Sequence, residues 1–318
     1  MTAGRLARIL VAAGLFLFLL WRANPAAVLA AARGANLAWI AAAAGLVLFD
    51  RALMAYRWLV LLRAVEPRQR PPLAAVLRVF FVSTFVGTFL PSVGGDVVRA
   101  YSLSCYGVDA AQSAASVAID RVLGVASIAI VGVAGLALAG ARFADRGVAA
   151  TLAVSLAVCA AGALVVFSER AAGLARHAAR RLPGARVRHA AESLVDATRR
   201  YARHRGGLAN VLAGSAGVQL LRIVQAYCLG RALDIAAPFS VYAAFVPLIL
   251  LIMLLPITIN GLGTSQLAFV WFFGQAGVPQ PAAFALSVLF VALGVVGNLP
   301  GGLLYATSAG AASPGRPK

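Results

Sequence analysis

The sequence predicts an all-α polytopic membrane protein, and three observations predict it. The chain is 62% hydrophobic and only 12% charged. Apolar stretches of about 18 or more residues recur along it, the length that crosses a ~30 Å hydrocarbon core. Its arginines gather in the gaps between those stretches. A soluble domain of 318 residues with a mean hydropathy of +0.89 could not cover its surface with polar groups. The expectation is one transmembrane unit over residues 1–306, with halves at about 36–167 and 207–306, a basic connection at 168–206 and a short tail at 307–318.

The apolar segments follow in order. Arg5 and Arg8 precede a run from Ile9 to Trp21, expected as an uncleaved first span, with a cleaved signal peptide as the alternative. A second span covers about 36–62. Residues 72–105 are apolar but interrupted at 91–95 by Pro91, Gly94 and Gly95. Two more segments cover about 113–140 and 147–167. After the polar connection come about 207–229, a segment at 239–276 broken at 256–263, and about 282–306.

The charge sets the topology. There are 28 basic and 10 acidic residues, and all the basic ones except Lys318 are arginine. In a soluble chain a net charge of +18 would suggest nucleic acid. Between apolar spans it points instead to anionic membrane headgroups, so no nucleic-acid partner is expected. The positive-inside rule puts both termini, 63–70 and 168–206 on the cytoplasmic side. That assignment works only if 72–105 and 239–276 are re-entrant hairpins entering from opposite faces. The expected fold is therefore about six spanning helices plus two broken-helix hairpins. The polar connection itself holds ten arginines and three acids, and 189–203 reads as a basic amphipathic surface helix or a solvated linker.

The two broken segments resemble each other. Each begins Leu-Pro (90–91 and 255–256), carries two glycines, and continues to Gly-Val followed nine or ten residues later by Ser-Val. Weak internal similarity with opposite topology is the pattern of inverted-repeat transporters. Non-helical backbone at membrane depth survives only where protein or a wet cavity satisfies it. Two proline-kinked core helices are the plainer alternative.

Ionisable groups inside apolar segments are costly, so each is a candidate for function. Asp96 follows Gly94 and Gly95 and can cap the next helix, with Arg99 three residues on. The two can pair, or Arg99 and the helix N-terminus can bind an anion with Asp96 holding the guanidinium in place. Asp120 and Arg121 are adjacent and point different ways, so they need separate partners, Asp120 meeting Arg99 or Arg51. Asp50 and Arg57 share a helix face, and Arg57 can also snorkel to the headgroups. Arg222, with Gln219 and Gln225 nearby on its face, reads as an unpaired charge. In the second hairpin Asn260, Gly261 and Gly263 form an uncharged turn, with Thr264 or Ser265 as the cap of the helix that follows. Cys105, Cys159 and Cys228 lie far apart, and all three histidines fall in the basic connection, so neither a disulfide framework nor a metal site is indicated.

The stretches DRALMAYRWLVLLRAV (50–65), FLPSVGGDVVRAY (89–101), IDRVLGV (119–125) and LPITINGLG (255–263) resemble the lysylphosphatidylglycerol synthase transmembrane family, the flippase-like domain. The order and spacing match from span one to about residue 306, and the Gly-Asp-Arg motif is the most specific element. The second motif departs: members often carry Arg-Glu where this chain has Ser265 and Gln266. The resemblance implies translocation of a phospholipid or a polyprenyl- or sugar-linked lipid across the cytoplasmic membrane, as a stand-alone member. No polar stretch exceeds the 39 residues of 168–206, so none matches the soluble aminoacyl-transferase domain of the bifunctional members.

The expected substrate-binding set is Arg99, Asp96, Gly94, Gly95, Asp120, Arg121, Arg51, Arg222, Asn260, Gly261 and Gly263. The arginines would bind the headgroup phosphate, and the carboxylates would position them or carry a proton. No cofactor is called for, and the phosphate-binding pattern GxxxxGK[ST] is absent from the sequence. A membrane-embedded transferase acting on a lipid phosphate, and a non-catalytic partner of a lipid-modifying enzyme, are the alternatives.

Overall fold

The computed structural model describes residue 26 and residues 33–63, 70–90, 94–140, 146–254 and 262–308. The run Ile9–Trp21 therefore lies outside the described residues. Everything regular among those described is helical. The helices are α1 (Leu37–Leu62), α2 (Leu73–Gly87), α3 (Gly94–Ser104), α4 (Ala110–Ala139), α5 (Arg146–Phe167), α6 (Glu169–Arg180), α7 (Ala185–Arg200), α8 (Arg205–Ala232), α9 (Phe239–Leu254), α10 (Thr264–Gln275), α11 (Gln280–Val296) and α12 (Leu299–Ser308).

Four stretches among the described residues are long and apolar enough to cross a membrane, namely α1, α4, α8 and the α11–α12 run, and α5 with α6 makes a possible fifth. Between 17% and 39% of each apolar window is buried inside the protein. The remainder, including Leu48, Phe49, Leu138 and Leu303, is exposed apolar surface that only lipid can cover.

Spans α1 and α8 are antiparallel and packed along their whole length. Asn36 N–H donates to Ala232 O at 2.9 Å at one end, and Gly214 lies against the Arg57 side chain toward the other. Asn36 also caps α1, accepting from Ala38 N–H at 2.9 Å.

The two broken segments fold as antiparallel helical hairpins. Helix α2 has 15 residues and α3 has 11, so at 1.5 Å per residue neither reaches across the hydrocarbon core. Leu103 near the end of α3 packs with Val76, Val79 and Phe80 of α2 and with Trp58 of α1, which places the open end of this hairpin beside the C-terminal end of α1. Its tip is tight: a Cβ on Gly87 would lie 3.0 Å from the Gly95 Cα. The second hairpin, α9 and α10, is zipped by rings, with Tyr242–Phe273 and Phe245–Phe273 centroids 5.0 and 5.8 Å apart. It opens at the other end of the bundle, where Tyr227 of α8 meets Phe239. The hairpins thus enter from opposite ends, as the charge argument requires.

Each half also clasps the other half's hairpin through a glycine. A Cβ on Gly135 of α4 would lie 2.0 Å from the Ala243 carbonyl oxygen of α9, and one on Gly301 of α12 would lie 2.0 Å from the Phe81 carbonyl oxygen of α2. Ala243 O is the carbonyl that Pro247, four residues on, cannot hydrogen-bond, so its approach to Gly135 occupies a backbone acceptor that the proline frees.

The polar connection is a pair of helices. Ser168 caps α6, which turns 97° from α5. Helix α7 lies beside α6, tied by Arg176–Asp196 at 2.8 Å, Arg180–Glu192 at 3.1 Å and Arg199–Glu169. The expected helix at 189–203 is α7, displaced to Ala185–Arg200 and preceded by a second helix that the composition did not reveal. Leu61, Ile119, Val166, Ala197, Tyr201 and Leu208 form one apolar cluster, so α6–α7 sits at the same end of the bundle as the C-terminus of α1.

Candidate functional site

The charged residues of α1, α3, α4 and α8 converge inside the bundle. Starting from α1, Asp50 is bonded to Arg51 at 2.7 Å and to Arg222 of α8 at 3.2 Å. Arg222 is therefore paired, where its sequence surroundings suggested a lone charge. The reason is the α1–α8 contact, which brings Asp50 to it across 172 residues. Arg51 also donates through Nε to the Asn298 Oδ1 at 2.8 Å and through Nη2 to the Gly294 carbonyl at 3.2 Å. Asn298 in turn donates to Thr88 Oγ1 at 2.9 Å, which ties the tip of the first hairpin to the end of α11.

One turn and more along α1, Arg57 is 3% exposed and does not snorkel. Its Nη2 donates to Asp120 Oδ1 at 2.7 Å, and Asp50, though on the same face of α1, is taken by Arg51 and Arg222. Asp120 Oδ2 faces Arg99 Nη1 at 3.7 Å. Asp120 therefore meets Arg99, as expected, and Arg57 in place of Arg51. Arg99 is completed by Ser83 Oγ at 3.3 Å and Thr84 Oγ1 at 3.4 Å, and its guanidinium carbon lies 4.8 Å from the Phe80 ring centroid and 5.4 Å from that of Trp58.

Asp96 does not hold Arg99. It is bonded to Arg121 of α4, with Nε to Oδ2 at 2.6 Å and Nη2 to Oδ1 at 2.9 Å. Three-residue spacing put Asp96 and Arg99 near one face, but α4 runs past the start of α3 and offers Arg121 there, while Arg99 turns into the α1–α2 interface. Asp96 is also not an N-cap: α3 starts at Gly94 and Asp96 sits inside its first turn. Gly94 and Gly95 admit the tight tip, since a Cβ on Gly94 would lie 2.6 Å from the Leu90 Cβ and one on Gly95 would lie 3.0 Å from the Gly87 Cα. As expected, Asp120 and Arg121 have separate partners.

In the second hairpin Asn260 and Gly261 lie outside the described residues. Gly263 has φ +84°, a left-handed conformation that favours glycine. The cap expected from Thr264 or Ser265 is supplied otherwise. Both lie inside the first turn of α10, and the Gln266 side chain reaches back so that its Oε1 accepts the Gly263 N–H at 2.6 Å.

Two cavities open on this cluster. One, of about 200 Å³, is lined by Asp50, Arg51, Arg222, Gln225 and Asn298. The other, of about 100 Å³, is lined by Arg57, Arg99, Asp120, Arg121, Gln219 and Leu254. Arg222 borders both, and Leu254, the last residue of α9, lines the smaller one. Among these residues five guanidinium groups face three carboxylates, which leaves two positive charges that no carboxylate of the cluster balances. Arg57, Gln219 and Asn298 are the residues that sequence reasoning did not place in the site. Arg57 stands in the same motif as Asp50 and Arg51, and Gln219 stands one turn from Arg222, so a helical-face count was the available signal.

An all-α bundle with opposed hairpins, long apolar helices and a basic cluster among them is a polytopic membrane protein. The chain belongs to the lysylphosphatidylglycerol synthase TM region family, whose family model matches residues 5–301. That membership makes it a lipid-related membrane protein. Comparison with curated proteins and with solved structures returned no match.

Proposed function

We propose that this protein moves an anionic or zwitterionic lipid, or a lipid-linked headgroup, between the leaflets of the cytoplasmic membrane. The observation that carries the reading is the uncompensated charge: two net positive charges lie inside an apolar bundle, bordering two cavities among its helices. An unbalanced arginine at membrane depth costs ~3 kcal/mol or more on insertion scales, and a phosphate offsets that cost. Guanidinium groups also match phosphate oxygens in bidentate fashion. Arg99, Arg121, Arg51 and Arg222 bind the phosphate, with Arg57 beside them. Asp120 and Asp50 hold the arginines apart and keep the unloaded site from excessive repulsion. Broken helices that enter from opposite ends let one half rock against the other while the headgroup stays with the arginines. The end carrying α6–α7 faces the cytoplasm, as its ten arginines require under the positive-inside rule.

The test is reconstitution of the purified chain in liposomes with headgroup-labelled lipid in one leaflet. Exchange well above protein-free vesicles is expected, and exchange at the protein-free rate overturns the reading. Appearance of a new lipid species in place of exchange would mark a transferase. For the orientation, a single cysteine at position 200 in a cysteine-free background should resist an impermeant reagent applied to intact cells, and labelling from outside would reverse the topology.

A further inference from the structure

The smaller cavity has more than charge in its walls. Among the described residues, Arg57 Nε is buried without an acceptor and Gln219 Oε1 without a donor. Both side chains are more than nine-tenths buried, and both line the same cavity. A buried polar atom left unpaired is costly, and two of them in the wall of one charged cavity leave room for a partner that satisfies both.

The orientation of the Gln219 amide follows from its neighbour. Ser127 spends its one hydroxyl proton on the Gly124 carbonyl at 2.7 Å. It can therefore only accept from Gln219, and Nε2 takes that place at 3.4 Å. The carbonyl end of the amide is thus the free end, and it can only accept. A phosphate oxygen satisfies Arg57 Nε but repels Gln219 Oε1. What Gln219 requires is an O–H or N–H carried close to the phosphate.

We infer that this cavity selects headgroups in which the phosphate is followed within a few atoms by a hydroxyl or ammonium donor, and that Gln219 reads that donor while the arginines take the phosphate. The inference rests on the lipid-headgroup reading of the site and narrows its substrate class. Glycerol-type and ethanolamine-type headgroups carry such a donor. A choline headgroup carries the same phosphate and positive charge without any N–H or O–H, so it isolates the donor from the charge.

Binding tests this apart from transport. The full chain in detergent is titrated with short-chain diacyl phospholipids of one chain length, which have no backbone hydroxyl, carrying glycerol, ethanolamine or choline headgroups, and affinity is read from the shift in thermal unfolding midpoint. One hydrogen bond to the buried amide oxygen predicts that the first two bind about tenfold more tightly than the third. Gln219→Leu should bring all three within about twofold. Gln219→Glu, which keeps the side-chain shape, should favour the ethanolamine lipid over the glycerol lipid, and it decides the matter if the leucine variant fails to fold. Equal binding of the choline lipid by the wild type, an unchanged gap in Gln219→Leu, or no ethanolamine preference in Gln219→Glu overturns the inference. Headgroup preference without any exchange in liposomes would retain the inference and remove transport.

Discussion

Arg121 grips Asp96 with two nitrogens, Nε at 2.6 Å and Nη2 at 2.9 Å, and so fastens the first turn of the α3 hairpin arm to the spanning helix α4. This leaves Arg99, three residues further on, free of Asp96 and committed to Asp120, Ser83 and two aromatic rings. The Gly-Asp-Arg motif therefore divides its labour between two different partners.

A double-mutant cycle on unfolding midpoints should detect that division. Asp96→Asn and Arg121→Gln should couple by ~0.5–1 kcal/mol, the scale of a partly exposed bidentate pair. The Arg121 side chain is 47% exposed, which keeps the value at that scale. Asp96→Asn with Arg99→Gln should couple more weakly, because no hydrogen bond joins those two side chains. Coupling in the second pair and none in the first would contradict the observed pairing.

Asp120 is the carboxylate shared by Arg57 and Arg99. Asp120→Asn leaves both guanidinium groups without their counter-charge in a buried place. Loss of one partner from a buried pair costs ~3–5 kcal/mol, so the variant should unfold much more readily in detergent than the wild type. Adding a phospholipid that occupies the cavity should recover part of the loss, which a thermal scan with and without lipid measures.

Arg99→Lys should keep the charge and the fold but lose the planar stacking on Phe80 and the forked contact to a phosphate. Lipid exchange in liposomes should fall by about tenfold or more while the unfolding midpoint moves little. Full exchange in this variant would assign Arg99 a structural role alone.

The two glycine clasps give a purely steric prediction. A methyl at Gly135 or Gly301 meets a backbone carbonyl oxygen at 2.0 Å, and backbone cannot rotate out of the way. Gly135→Ala and Gly301→Ala should each destabilise by ~1–3 kcal/mol or more through forced helix separation. Gly274→Ala, where a Cβ meets nothing within 4 Å, is the control and should be neutral or stabilising.

The α6–α7 pair should loosen in acid. Hydrogen bonds from Arg199 hold the Glu169 carboxyl below its ordinary value of 4.5. A carboxylate lowered in the folded state contributes its stability above that ordinary value, and the contribution is lost as pH falls through the lowered one. The protection of amides along 169–200, taken relative to their intrinsic exchange rates, should thus fall below pH 4.5, and Glu169→Gln should weaken that pH dependence while leaving the spans protected.

The sequence by itself determined the membrane class, the order of the spans, the two breaks and the end of the bundle that carries the arginines. Each of these follows from local quantities: apolar run length, proline and glycine placement, and the spacing of charges along one helix. The antiparallel hairpins entering from opposite ends were the arrangement that the loop charges favoured over two proline-kinked helices. Only the tertiary structure decided who pairs with whom. Asp50 meets Arg222 because α1 and α8 lie side by side, Asp96 meets Arg121 because α4 crosses the start of α3, and Gln266 caps a helix that Thr264 or Ser265 was expected to cap. A spacing of three or seven residues says that two side chains can share a face. Whether they bond depends on the charge a neighbouring helix brings to that face, which no count along one helix contains.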